Sequence, residues 1–117
     1  MNTSAVLLLG LAGGTGATLR YLVDRAASAR FGLNFPWGTT LINLTGSFAL
    51  GLATGAALGS PTYALVATGV LGGYTTFSTA SLESVQLLSR GHYLAALVQG
   101  PGQIVTCVAL ATVGILI

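Results

Sequence analysis

Gly72-Gly73-Tyr74-Thr75-Thr76-Phe77-Ser78-Thr79 sets two helix breakers beside four Ser/Thr hydroxyls within eight residues of an otherwise apolar stretch. A lipid-facing helix would carry Leu, Val and Ile there. Backbone that leaves the helix at membrane depth is tolerated only where protein covers it or where it lines a polar cavity, so the segment reads as part of a pore or binding site. Thr75, Thr79, Glu83 and Gln86 then recur at helical spacing on one stripe, with Phe77, Ala80, Ser81 and Ser84 on the adjoining one. A single Ser or Thr in a span usually bonds its own i−4 carbonyl, but several of them beside a Gly-Gly pair point to a polar track.

Asn43 lies in the apolar run Leu41-Ile42-Asn43-Leu44, where an unpartnered amide is destabilising by roughly a few kcal/mol. It serves equally well as an interhelical bond or as a ligand offering two N–H donors to an anion. Glu83 is the only acid set within a span, which makes it a functional candidate, with a structural pairing to Arg20 as its plainer role. Arg20 is expected near the end of the first helix, reaching toward the interface. Nothing resembles a nucleophile with a base and an orienting acid, so an enzyme is not expected. Cys107 is the only cysteine, which excludes an internal disulfide and a multi-thiolate metal site.

The elements that must position these residues are membrane spans. Of 117 residues, 53% are hydrophobic and only 5% are charged, against roughly 25% charge in a soluble domain. Residues 1–19, 31–82 and 91–117 contain no Asp, Glu, Lys or Arg, and stretches of that length are long enough to cross a bilayer. The middle stretch has room for two passes, with Gly59-Ser60-Pro61-Thr62 as the turn between them. The reading is a single all-α transmembrane domain with helices near 4–24, 38–58, 63–89 and 93–116, the third broken near its middle. The first segment is read as a retained helix, since no Lys or Arg precedes it and Gly10, Gly13, Gly14 and Gly16 suit helix packing. Ser47, Gly51, Gly55 and Gly59 form a small-residue ridge on the second helix that packs the monomer or a dimer. Four short helices enclose no water-filled lumen, so an oligomer is expected.

With those residues in place, the chain resembles the Fluc/CrcB family of small fluoride channels. The likeness rests on Gly13-Gly14 through Gly16-Ala17-Thr18-Leu19-Arg20-Tyr21, on Gly38-Thr39-Thr40-Leu41-Ile42-Asn43-Leu44-Thr45-Gly46-Ser47-Phe48, and on residues 72–79 followed by Glu83. The resemblance implies an antiparallel dimer with two fluoride pores, each lined by both chains, that exports fluoride passively and lowers its cytoplasmic level. It implies that Asn43 and Phe77 line the pore and that Ser78, Thr79, Ser81 and Glu83 form the hydroxyl track or its end. It further implies that the backbone carbonyls of Gly72 and Thr75 hold a structural sodium ion, Na+, at the dimer axis. The family's second pore phenylalanine should stand three residues after the first, yet that position is Ala80. Where hydroxyl-bearing pore residues are expected on the fourth helix, this chain offers Gln103, Thr106 and Cys107.

Charge placement adds an orientation. Loops 1 and 3 share one side and hold all four Arg residues, and the other side has none. The chain should therefore insert one way, in a bacterial inner membrane, with those loops cytoplasmic and both termini outside. One fixed orientation favours a heterodimer with an oppositely oriented homologue over an antiparallel homodimer. A multidrug-resistance-type efflux subunit is the rival transporter, but residues 1–19 lack the acid that such carriers place in the first helix. The expected partners are fluoride, a second subunit and the lipid bilayer, with no nucleic acid.

Overall fold

Apolar side chains cover the outside of this molecule. Val6, Leu7, Leu11, Leu94, Val105 and Leu116 are among many large hydrophobic residues left exposed, an arrangement stable in lipid and not in water. The computed structural model describes residues 3–32, 35–56 and 63–117. Among them there is no strand, and four helical spans form the chain as expected. The first is α1, Thr3–Phe31, and the second is α2, Trp37–Gly55. The third is broken into α3, residues 64–74, and α4, Phe77–Ser89. The last is α5, Tyr93–Leu116. The turn at Gly59-Ser60-Pro61-Thr62 lies outside the described residues, as does Gly59 of the second-helix ridge.

α1 continues to Phe31 rather than ending near residue 24. Nothing between Asp24 and Arg30 breaks a helix, and the chain turns only at Gly32, where φ is +82°. There the Gly32 N–H reaches the Ser28 carbonyl at 3.0 Å, a left-handed cap that glycine takes without a Cβ penalty. Arg20 consequently lies well inside α1, half-buried, rather than near its end. α4 stops the same way at Gly91, φ +81°. Gly91 N–H bonds Leu88 O at 3.1 Å and His92 N–H bonds Leu87 O at 2.9 Å, the two contacts of a Schellman cap.

Small residues decide how the spans meet. A Cβ added to Gly16 would collide with the Val70 carbonyl, and one added to Gly73 with the Gly13 carbonyl. α1 and α3 therefore touch backbone to backbone. Gly51 and Gly55 do the same against Ala111 and Ile115 of α5, while Gly114 faces Phe48 and Leu52 in return. The described part of the second-helix ridge thus packs within this chain. Gly10 and Gly14, by contrast, have no neighbour among the described residues within 4 Å of an added Cβ. Gly16→Ala is accordingly expected to destabilise the folded chain by about 1–3 kcal/mol through overpacking, and Gly10→Ala to leave it unchanged or slightly improved. Thermal unfolding of the two variants in detergent checks this, and equal effects would contradict the packing.

Candidate functional site at the break in the third span

The helix is interrupted at Thr75 and Thr76, both extended, with φ/ψ of −80°/156° and −149°/106°. Gly72, where the sequence suggested the break, is still helical at −62°/−39°. What takes over from the helical ladder is Asn43 of α2. Its Oδ1 accepts the Thr76 N–H at 2.9 Å and its Nδ2 donates to the Thr76 carbonyl at 3.0 Å. One buried amide thus replaces two backbone partners, which is what irregular backbone at this depth requires. α2 approaches closely enough because residue 46 is glycine, where a Cβ would overlap Thr75 Cγ2. Beside it, the Tyr74 hydroxyl shares a 2.9 Å hydrogen bond with Thr45 Oγ1.

The break frees carbonyls of the turn before it, those of Gly72 and Thr75 among them. In an unbroken helix Thr76 N–H would bond Gly72, but here it bonds Asn43. Thr79 N–H would bond Thr75, but it goes to Thr76 Oγ1 at 3.3 Å, capping α4. The Gly72 and Thr75 carbonyls have therefore lost their i+4 donors. Thr75 Oγ1 is itself spent on the Leu71 carbonyl at 2.9 Å.

From Asn43 a chain of amides runs toward the charged end of the molecule. Asn43 Nδ2 donates to Gln103 Oε1 at 2.6 Å, Gln103 Nε2 donates to Gln99 Oε1 at 3.0 Å, and Gln99 Nε2 donates to Glu83 Oε1 at 3.2 Å. Thr40 Oγ1 joins from α2, donating to Gln99 Oε1 at 2.8 Å and accepting from Gln103 Nε2 at 3.3 Å. Asn43, Gln99 and Gln103 are 7%, 0% and 6% exposed, so these contacts form away from lipid and water. Gln99 carried no weight in the sequence reading, although two glutamines four residues apart in an apolar span were a visible signal. Glu83 is held by Gln99; no ion pair with Arg20 forms among the described residues.

The two stripes on α4 have different surroundings. Phe77, Ala80, Ser81 and Ser84 line a cavity of about 590 Å³ together with Asn43, Gln99, Gln103 and Cys107. Glu83 and Gln86 line a smaller one, about 270 Å³, with Asp24 and Arg90 at the end where loops 1 and 3 meet. Ser78 and Thr79 are exposed and line neither cavity. Phe77 is 70% exposed, while Ala80 is buried. Thr75 falls outside the stripe it shared in the sequence, because the extended residues reset the helical count before α4 starts.

An all-α membrane protein with a broken span braced from a neighbouring helix is the class these features define. Residues 7–115 match the family model described as CrcB-like protein, Camphor Resistance (CrcB), and the chain belongs to that family. Its relatives include fluoride-specific ion channel FluC 1 of Leifsonia xyli subsp. xyli, 45% identical over 98% of this chain and 87% of the relative. Fluoride-specific ion channel FluC 2 of Nitrobacter hamburgensis is 42% identical over 93% and 89%. Fluoride-specific ion channel FluC of Chloroflexus aurantiacus is 39% identical over 98% and 94%. These relatives are transport proteins by name, not enzymes.

Proposed function

We propose that this chain is a subunit of a fluoride channel that lets fluoride leave the cell passively. The single observation that carries the reading is the braced break, in a chain of the CrcB family whose relatives are named for fluoride. A small, strongly hydrated anion must be given replacement donors as it sheds water. Neutral N–H and O–H groups with an aromatic ring edge supply them without trapping the ion. Asn43, Phe77 and Ser81 border one cavity, and Glu83 lines the smaller one toward the charged end of the molecule; Ser78 and Thr79 are assigned to a surface that a partner covers.

Sodium fits the freed carbonyls. Gly72 and Thr75 each present an oxygen without its helical donor, and hard monovalent cations take oxygen ligands. Two such oxygens from each of two antiparallel subunits would hold the ion at their shared axis, adding a fixed positive field beside the anion path.

The partner in this reading is an oppositely inserted homologue. Arg25 and Arg30 lie in the last two turns of α1 and Arg90 just past α4, on the side of loops 1 and 3, and no charged residue lies at the other end. Such a bias sets those loops in the cytoplasm. Ala80 in place of a second ring fits a chain that completes only one of two pores. The expectation is that a fluoride-sensitive bacterium expressing this chain alone stays sensitive, and that co-expression with an oppositely biased homologue restores growth. Full resistance from this chain alone would identify a homodimer instead.

A further inference from the structure

The amide chain between the break and Glu83 has a direction. Every donor points the same way, from Asn43 through Gln103 and Gln99 to the carboxylate. Carboxamides present a donor on one side and an acceptor on the other, so a head-to-tail row has two coherent orientations. In the orientation seen here both Asn43 N–H groups are taken, one by the Thr76 carbonyl and one by Gln103 Oε1. An arriving anion would meet a carbonyl oxygen where it needs a donor.

We propose that Gln103, by turning its amide over, forms with Asn43 a two-donor site for a small monovalent anion. The proposal rests on the fluoride reading above and names a binding residue within it. With the amide reversed, Gln103 Nε2 and Asn43 Nδ2 face each other, which is unfavourable unless an anion sits between them and accepts from both. The cavity of about 590 Å³ bordered by Asn43, Gln103, Ser81 and Cys107 gives the nitrogens room to part. The reversed Gln103 Oε1 then accepts from Thr40 Oγ1 and, once Gln99 also turns, from Gln99 Nε2. That turn withdraws the donor from Glu83 and brings an oxygen toward it, so the carboxylate swings into the smaller cavity lined by Arg90, Gln86 and Asp24. Anion binding at Asn43 and release of Glu83 are thus two ends of one bistable element. The bond balance is conservative, since no proton leaves any amide.

The test is a sodium fluoride titration of this chain, carrying 15N in its Asn and Gln side chains and purified together with the partner used for efflux, with sodium chloride as the control. The side-chain N–H signals of both Asn43 and Gln103 should shift saturably with fluoride. Gln103→Met should weaken that response at least about tenfold, as loss of one hydrogen bond to a charged ligand does. Glu83→Gln, which can accept or donate at Gln99, should strengthen it. If Gln103→Met fails to fold, the wild-type Gln103 signal still decides, because a Gln103 resonance indifferent to fluoride overturns the site. Fluoride efflux from liposomes separates the two levels of argument. Efflux by the wild-type chain with its partner but no Gln103 response sinks this inference alone, and neither efflux nor response sinks the fluoride reading as well.

Discussion

Asn43→Ala is expected to abolish fluoride passage and to loosen the third span at the same time. The amide makes three contacts at the break: it accepts from Thr76 N–H, donates to the Thr76 carbonyl and donates to Gln103 Oε1. Removing it strands three polar groups, the two of half-buried Thr76 and the buried Gln103 oxygen, and an unpaired buried group is destabilising by about 1–3 kcal/mol. A loss of even about 3 kcal/mol at the conducting geometry corresponds to more than about a hundredfold in rate. Asn43→Asp should fall between, because its oxygens still accept from Thr76 N–H but donate nothing. Fluoride-electrode efflux from proteoliposomes, paired with melting temperatures in detergent, checks both halves. An Asn43→Ala protein that conducts normally would show that the brace is dispensable.

Gly46→Ala carries the second large effect, for a steric reason. The new methyl would overlap Thr75 Cγ2 and stand 3.2 Å from Tyr74 Cδ2, so α2 and the extended residues must part or strain. Overpacking of this kind is destabilising by about 1–3 kcal/mol, and here it acts on the contact that lets Asn43 reach Thr76. Flux and stability should fall together. Thr75→Ser removes the obstructing methyl and keeps the hydroxyl that bonds the Leu71 carbonyl. In the double variant the loss should be largely recovered, a coupling that a double-mutant cycle measures directly. Additive losses would place the strain elsewhere.

What could be read in the chain beforehand follows from which forces are local. Span number came from runs of uncharged residues, since the bilayer imposes a length on each. That the third span breaks was legible in Gly72-Gly73 and the hydroxyls after them. Where it breaks was not, because glycine permits departure from a helix without requiring it. The helix opens at Thr75 and Thr76, where a residue more than thirty positions earlier supplies the replacement partners. Such a contact has no local signature. α1 ran past its expected end for the opposite reason, a purely local one: no breaker stands between Asp24 and Gly32.

The candidate site divides along the same line. Asn43 stood out as a lone amide in an apolar run, and its bonds to the broken span appear only once the helices are assembled. Gln99 and Gln103 were present as an i, i+4 pair, yet their meaning depends on Thr40 and Asn43 facing them from α2. From Phe77 onward α4 keeps the helical spacing of the stripes, although Thr79 lines neither cavity. Extending them back to Thr75 ignored the extended residues between, which move that side chain off the face.

Fluoride efflux from liposomes holding this chain together with an oppositely inserting homologue tests the account most directly. Fluoride should leave rapidly while chloride, equally charged and larger, stays inside. Equal loss of both ions, or no fluoride loss with or without the homologue, would contradict the reading of this break as a fluoride path.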